Sequence, residues 1–416
     1  MPLAYEECGF KLKNCFLCKS KMRSLKKHII LFILSVLILL SHTYAQSAYS
    51  KFKIKSFKHK KFRSNIQIEP RLYYGFIINH HTELEPFNAH IPGFELTIIK
   101  DTYGRKYWER LHKYPYIGIS FFYSTLADHP AIGQSFAAYP FIVFPIVRSK
   151  KDFLGFRLGL GLSYLTKTFD PITNYKNIAI GSHVNVAINL MMEYRRKLNE
   201  STELSTGVSL IHFSNGSTAT PNYGLNLPMA SIAISKRISK PNKKIVERKL
   251  AIPTFSYKAN KIYIFNVMGG YASKNMGNVF GERYDVVMAS VSGLKYFNEI
   301  SALGLSFDFS WDGSHRALLE RKGIIDPSFI TVMRPGIAPT YEMRISHVLM
   351  GVNVGLYWGG KEKSDGDLYE QLMVKYLFYK NAYFSVTLRA HLARAAFVSW
   401  GIGYRLQYDF GKNDQI

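Results

Sequence analysis

Cysteine is nearly absent from this chain of 416 residues: Cys8, Cys15 and Cys18, the three that occur, all lie within the first 21 positions. A disulfide framework is thereby excluded for the rest of the sequence, so that a folded body has to be closed by backbone pairing and packing. Cys15 and Cys18 have the spacing of half a metal or redox site. We favour the interpretation that this segment is discarded sequence.

Long apolar runs are also scarce. One continuous run stands out, at residues 29–40, and it is too short to span a bilayer as a helix. Basic residues precede it and small residues follow it, an arrangement that predicts a secretory signal cleaved near Ala45, before Gln46. Residues 1–45 are therefore predicted to be an over-extended start, with Met22 as the true first residue, followed by a signal peptide of an exported protein.

Acidic residues are few: 29 Asp and Glu stand against 54 Lys and Arg, which gives a net charge of +25. Residues 1–45 hold seven of the basic and two of the acidic residues, so the remainder carries +20. Residues 46–64 form a basic, solvated leader. A basic surface indicates an anionic partner, either nucleic acid or the phosphates of lipopolysaccharide, and export favours lipopolysaccharide over nucleic acid. Without a phosphate-binding glycine loop or zinc-ligand spacing, no cofactor or metal is predicted.

From about Ile66 onward, apolar and polar residues alternate with a period of two. In residues 304–311, for example, Leu305, Phe307 and Phe309 alternate with serines and Asp308. Such alternation fits a soluble β-protein with one solvated face as well as a membrane barrel. The stretches are about ten residues or longer, aromatic residues lie near their ends, and a signal for export precedes them, which together favour an antiparallel transmembrane β-barrel of the outer membrane.

The all-β reading gives about 16 strands in one barrel, with an 8-strand barrel plus a second β unit as the alternative. The predicted domains are a first barrel half at 65–238, a basic linker at 239–258, and additional barrel strands at 259–416. A short helix is predicted around Arg316–Arg321. The predicted strands are 66–79, 92–102, 115–125, 134–147, 153–166, 180–195, 202–214, 223–238, 260–273, 283–297, 300–313, 329–345, 347–359, 367–379, 382–391 and 396–410.

A candidate nucleophile and base close the strand at 202–214. His212 and Ser214 are two residues apart, so both project from the same face, about 7 Å apart along the strand. An imidazole that takes the serine proton turns a poor nucleophile into an effective one. That face also carries Leu204, Val208 and Leu210, which predicts that it is the lipid side of a barrel. With the N-terminus in the periplasm, this strand ends at the outer rim.

The following strand supplies a third polar residue. A turn near Ala219 would set Asn226 opposite His212, where an amide oxygen can orient the imidazole without contributing a full negative charge. The backbone N–H groups of Asn215 and Gly216 are candidates for an oxyanion hole. An acyl ester of a lipid in the outer leaflet would reach such a constellation, whereas a soluble substrate would not.

His212-Phe213-Ser214-Asn215, followed by a Pro-Asn loop and a Gly-Leu-Asn strand, resembles the signature of the lipid A 3-O-deacylase (acyloxyacyl hydrolase) family of outer-membrane β-barrels. Residues 107–115 and 177–183 look like the longer Bacteroidetes-type homologues. The resemblance covers roughly residues 66–238 and implies Ser214 as nucleophile and His212 as base. The family's acid is a glutamate at the position that matches Asn226, where this sequence departs from the pattern.

The combined expectation is an outer-membrane serine esterase that removes an acyl chain from lipid A of lipopolysaccharide. The alternative is a non-catalytic barrel or porin, in which the same four residues are simply a strand end that runs into an Asn-Gly turn.

Overall fold

The computed structural model describes residues 65–79, 82–104, 106–239, 261–276, 282–392 and 394–410. The predicted signal peptide, the basic leader and almost all of the predicted linker lie outside the described residues. Within the described ranges, the chain forms sixteen antiparallel strands. They are β1 (Ile66–Phe76), β2 (His90–Asp101), β3 (Tyr116–Ser124), β4 (Ser135–Arg148), β5 (Asp152–Leu165), β6 (Val184–Lys197), β7 (Thr202–Ser214), β8 (Leu225–Arg237), β9 (Ile262–Asn275), β10 (Arg283–Tyr296), β11 (Ser301–Asp312), β12 (Arg334–Ile345), β13 (Val348–Tyr357), β14 (Leu368–Tyr379), β15 (Ala382–His391) and β16 (Arg394–Asp409).

The strands close into two barrels of eight. β1 to β8 form the first barrel, in which β8 pairs back onto β1, and β9 to β16 form the second, in which β16 pairs back onto β9. The all-β barrel class and the sixteen strands are confirmed. The preferred arrangement as one large barrel is wrong, and the alternative with an 8-strand barrel plus a second unit is correct. Alternation along a strand reports two faces but not which strand closes the sheet, because closure is set by pairing between distant strands.

Helical segments occupy only connections. The helices are α1 (Tyr107–Leu111), α2 (Gly313–Arg321) and α3 (Phe329–Val332), with 3-10 turns at Thr82–Phe87 and Leu126–Asp128. α2 contains the helix expected around Arg316–Arg321. The strand expected from residue 329 begins instead at Arg334, because the Ser328 side chain accepts a hydrogen bond from the Thr331 amide and caps α3. Within the described part of the chain, no helix is long and apolar enough to cross a bilayer.

The polarity of the first barrel is inverted relative to a soluble protein. Along β1, Leu72 and Tyr74 point outward with 61% and 62% of their surface exposed, while Glu69 and Arg71 point inward and are fully buried. The other strands of this barrel also turn mainly large apolar residues outward, and their inward residues include the buried charges and two apolar clusters. An apolar outer wall around a polar interior is the arrangement that a membrane barrel requires.

Three arginines and three glutamates fill the lumen of the first barrel. Arg157 is 2.9 Å from Glu95 and 3.0 Å from Glu193, and Arg195 is 2.7 Å from both Glu69 and Glu193. Arg71 pairs with Glu69 at 2.7 Å. Each of these charges has an opposite charge in contact, which offsets the cost of burying it. Glu203, which is also buried, lies 3.9 Å from Arg195.

One end of the first barrel carries longer connections than the other. Residues 77–89, 125–134, 166–183 and 215–224 connect strands at the end where β7 finishes. At the opposite end, residues 149–151 and 198–201 are tight turns, and the connection at 102–115, which contains α1, is a longer exception. Long loops are typical of the external end of an outer-membrane barrel and short turns of the periplasmic end. An apolar cluster that includes Phe213, Phe87 and Ile180 closes the lumen at the long-loop end. We call this end the site end.

Candidate active site

His212, Ser214 and Asn226 form one hydrogen-bonded chain at the site end of the first barrel. The imidazole Nε2 of His212 lies 2.8 Å from the Ser214 Oγ, and its Nδ1 lies 2.6 Å from the Asn226 Oδ1. With Nδ1 protonated, that nitrogen donates to the amide oxygen, and Nε2 is left as the acceptor for the serine hydroxyl. This is the geometry of an activated hydroxyl nucleophile with an oriented base.

The strand register explains how three side chains from two strands meet. β7 and β8 pair so that His212 lies directly opposite Asn226, as the turn near Ala219 predicts. Opposed residues on one face of an antiparallel pair have their Cβ atoms about 4.5–5.5 Å apart, close enough for the two side chains to touch. The rotamer of His212 then spans the step along β7 to Ser214.

All three side chains point out of the barrel. Alternation along β7 buries Ile211 and Phe213 and leaves His212 and Ser214 on the outward face with Leu210 and Val208. The inward aromatic and aliphatic residues belong to the apolar cluster at the site end, which accounts for their departure from a polar lumen. On the neighbouring strand, Val186 pairs with Ser214 and Ile188 with His212. The hydroxyl and imidazole are thus partly exposed within an apolar outer wall.

The loop after Ser214 is built around Asn215. Its side-chain amide donates to the Ser182 Oγ at 2.9 Å and to the Ala219 carbonyl at 3.0 Å, and its backbone N–H donates to the Asn222 Oδ1 at 3.0 Å. The backbone amide of Asn215 is therefore occupied. The prediction of two oxyanion donors is narrowed to Gly216, whose N–H meets no acceptor among the described residues.

Three residues that support the site escaped the sequence analysis in these roles: Asn222, Ser182 and Gly224. Gly224 has a φ of +79°, and a Cβ there would lie 3.1 Å from the His212 Cε1 and 3.5 Å from the Ser214 Cβ. Only glycine combines that conformation with such a close approach to the imidazole. Its amide also donates to the Ala179 carbonyl at 2.9 Å, which joins this loop to the neighbouring one. In the sequence, the signal for this role is that Gly224 directly precedes an alternating strand.

No group of His, Cys, Asp or Glu side chains in the described ranges is arranged to hold a metal ion. The candidate site consists of a hydroxyl, an imidazole, an amide and backbone N–H groups, which is a set of groups that can support acyl transfer.

Two family models match the chain, one over each barrel. Residues 93–235 match the model described as lipid A 3-O-deacylase (PagL), and residues 261–408 match the model described as acyloxyacyl hydrolase, C-terminal domain. The barrel fold and these matches define an ester hydrolase of the bacterial outer membrane. The chain belongs to the lipid A 3-O-deacylase (PagL) family, so the resemblance noted in the sequence is confirmed. No curated protein matches the chain.

Solved structures with a similar fold include the outer-membrane enzyme PagL, at 14% identity and a TM-score of 0.28, with 41% of this chain and 99% of that chain covered. Neisserial surface protein A is similar at 10% identity and a TM-score of 0.28, covering 42% of this chain and 98% of its own. A mutant porin from Rh. blastica is similar at 8% identity and a TM-score of 0.16, covering 82% and 100%.

Proposed function

We propose that this protein is a serine esterase that removes an acyl chain from lipid A of lipopolysaccharide in the outer leaflet. The observation that carries the proposal is the 2.8 Å separation between the His212 Nε2 and the Ser214 Oγ on the outward, apolar wall of a closed barrel. A nucleophile in that position faces lipid. Its substrate is therefore an acyl ester held in the membrane.

In the proposed reaction, the Ser214 Oγ attacks the acyl carbonyl carbon while the His212 Nε2 takes the hydroxyl proton. The carbonyl electron pair moves onto oxygen, where the Gly216 N–H receives the developing charge. Collapse of this intermediate breaks the ester bond. His212 gives its proton to the departing sugar oxygen, which leaves as a hydroxyl. Water then attacks the acyl-serine by the same route, which releases the fatty acid and restores the Ser214 hydroxyl. Asn226 orients the imidazole throughout.

The surroundings of the site suit a lipid with an anionic headgroup. Val186 and Ile188 flank Ser214 and His212 on the same wall and can contact an acyl chain. The chain's net charge of +25 favours a partner with phosphates, and a site on the barrel wall favours the phosphates of lipid A over those of a nucleic acid.

A pore is the competing function, and the filled lumens disfavour it. The first barrel is blocked by its buried ion pairs and by the apolar cluster beneath the site. In the second barrel, Glu342 is buried between Lys375 at 3.0 Å and Arg405 at 2.5 Å, and Asp308 accepts from the Tyr369 hydroxyl at 2.7 Å. A water-filled conduit would need these side chains to part.

Mass spectrometry of lipid A from cells that express the protein tests the proposal. We expect the wild type to yield lipid A that lacks one acyl chain, and Ser214→Ala, expressed at the same level in the outer membrane, to leave lipid A intact. Identical lipid A spectra from wild type and Ser214→Ala would remove the esterase assignment. Solute leakage through both proteins would then support the pore.

Asn226 variants measure what the third residue contributes. Asn226→Leu removes the acceptor of the imidazole N–H with little change of shape. A hydrogen bond to a charged group is worth about 1.5–3 kcal/mol, so we expect kcat to fall roughly 10- to 150-fold. Asn226→Asp keeps the shape, adds the negative charge that stabilises the imidazolium, and should raise kcat. A fall in kcat for Asn226→Asp at neutral pH would show that the amide is the better partner in this site.

A further inference from the structure

The second barrel touches the loop that follows Ser214. The Ser217 Oγ donates to the Ala395 carbonyl at 2.7 Å, and the Asn275 amide donates to the Ser217 carbonyl at 3.1 Å. Ala395 lies near the start of β16 and Asn275 is the last residue of β9, and these two strands are neighbours in the second barrel. One end of the second barrel therefore holds Ser217, which lies three positions after the proposed nucleophile.

An apolar contact lies beside these hydrogen bonds. Gly216 packs so closely against Val398 that a Cβ on the glycine would lie 2.2 Å from the Val398 Cγ2. Gly216 and Ser217 both have left-handed backbones, with φ of +62° and +64°. A serine in that conformation is unfavourable by itself and persists where the surrounding contacts fix it. Two hydrogen bonds and one side-chain contact from the second barrel supply that restraint.

The second barrel has a local irregularity where it meets the loop. Arg389 pairs with Phe397 but Ala390 pairs with Ala395, so β16 carries an extra residue, a β-bulge, between the two partners. Bulges bend a strand and re-aim its groups, and they are frequent next to active sites. Here the residue beside the bulge is Ala395, whose carbonyl accepts from Ser217.

The barrels also touch at the end opposite the site. The Tyr107 hydroxyl donates to the Glu299 carboxylate at 2.6 Å, and the His112 Nε2 lies 2.9 Å from the Arg344 carbonyl. Among the described residues, the two barrels therefore contact each other at the site end and at the opposite end.

We propose that the second barrel is a positioning element for the esterase site: β9 and β16, through Asn275, Ala395 and Val398, hold the Gly216 N–H where the oxyanion forms. This inference rests on the proposed function. The Gly216 amide contributes only if it is preorganised, because a donor that must move into place loses most of its effect in the transition state. Ser217 and Val398 are then positioning residues, which act through the backbone of Gly216.

Kinetics of the full-length protein on purified lipid A test this role. Removing an oxyanion donor lowers kcat by about 10²- to 10³-fold, so displacing one with Ser217→Ala plus Val398→Ala should lower kcat about 10- to 100-fold with KM unchanged. Val354→Ala is the matched control, because Val354 lies on the outward face of β13 with 48% of its surface exposed and should leave both constants unchanged.

A double-mutant cycle separates positioning from general damage. Gly216→Ala should be nearly inactive, since its Cβ strikes Val398, and adding Val398→Ala should restore part of the lost kcat. A departure of kcat from additivity by at least fivefold supports the positioning role of the second barrel. Additive losses, or an unchanged kcat in Ser217→Ala plus Val398→Ala, overturn it. The Ser214→Ala variant in the same assay separates the two proposals. If Ser214→Ala is inactive, additive losses overturn only the positioning role of the second barrel. If Ser214→Ala is active, the proposed esterase function itself is wrong.

Discussion

Replacing His212 by alanine should reduce kcat for lipid A deacylation about as much as replacing Ser214 does, by roughly 10⁴- to 10⁶-fold. The 2.8 Å contact between the His212 Nε2 and the Ser214 Oγ makes the two side chains one proton-transfer unit. Without the imidazole the hydroxyl keeps its proton, and without the hydroxyl the imidazole has no nucleophile to activate. The double variant His212→Ala plus Ser214→Ala should therefore be no slower than either single variant.

Rates of all three variants, measured with purified protein and lipid A in the same detergent, check this expectation. Val208→Ala is the matched control, because Val208 lies on the same outward face of β7 with 64% of its surface exposed, four residues before His212 along the strand. It should retain the wild-type rate. Losses that multiply in the double variant would mean that the two side chains act separately, and the proposed mechanism would fail.

Much of the site could be predicted because it is local in the sequence. His212 and Ser214 share a face through the two-residue period of a strand, and the connection to the next strand, centred near Ala219, sets which residue lies opposite. The observed register pairs His212 with Asn226, the residue that the turn near Ala219 predicts. The strand β7 itself runs from Thr202 to Ser214, as its alternation indicates.

The rest depends on contacts between distant segments, which no local pattern records. Ser182 reaches Asn215 from the loop before β6, and this loop occupies the first residues of the strand expected from residue 180. Val398 contacts Gly216 although it lies far along the chain and belongs to the second barrel. The split into two barrels escapes the sequence for the same reason: an outward-apolar, inward-polar strand looks alike in either closure.

The site lies on the outward wall of the first barrel, and its support comes from residues that point inward. A membrane barrel presents its apolar wall to lipid and hides its polar groups, so a catalytic dyad on that wall needs rigid support from within and beside it. Phe213, which lies between His212 and Ser214 in the sequence, points inward and packs in the apolar cluster. Asn215 joins the loop after β7 to the loop before β6 through Ser182. The dyad is therefore fixed by inward side chains of the same strand that exposes it.

Arg157→Ala should lower the free energy of unfolding by about 3–5 kcal/mol, the usual cost of removing one partner from a buried ion pair. Arg157 is fully buried, donates to Glu95 at 2.9 Å and to Glu193 at 3.1 Å, and stacks over the Phe141 ring at 4.2 Å. Its loss leaves the buried Glu95 carboxylate without a basic partner among the described residues, whereas Glu193 keeps Arg195 at 2.7 Å. Denaturant unfolding of the protein in detergent, followed by tryptophan fluorescence, measures the change.

Arg196→Ala provides the matched control on the same barrel. Arg196 pairs with Asp152 at 3.2 Å, but the side chains are 55% and 40% exposed, and an exposed pair contributes about 0–1 kcal/mol. Adding Glu95→Gln to Arg157→Ala removes the carboxylate that Arg157→Ala leaves unpaired and should recover part of the lost stability, because the effects of contacting groups are not additive. Equal, small losses for Arg157→Ala and Arg196→Ala would show that water reaches the lumen and screens its charges. The buried ion pairs would then no longer disfavour a pore.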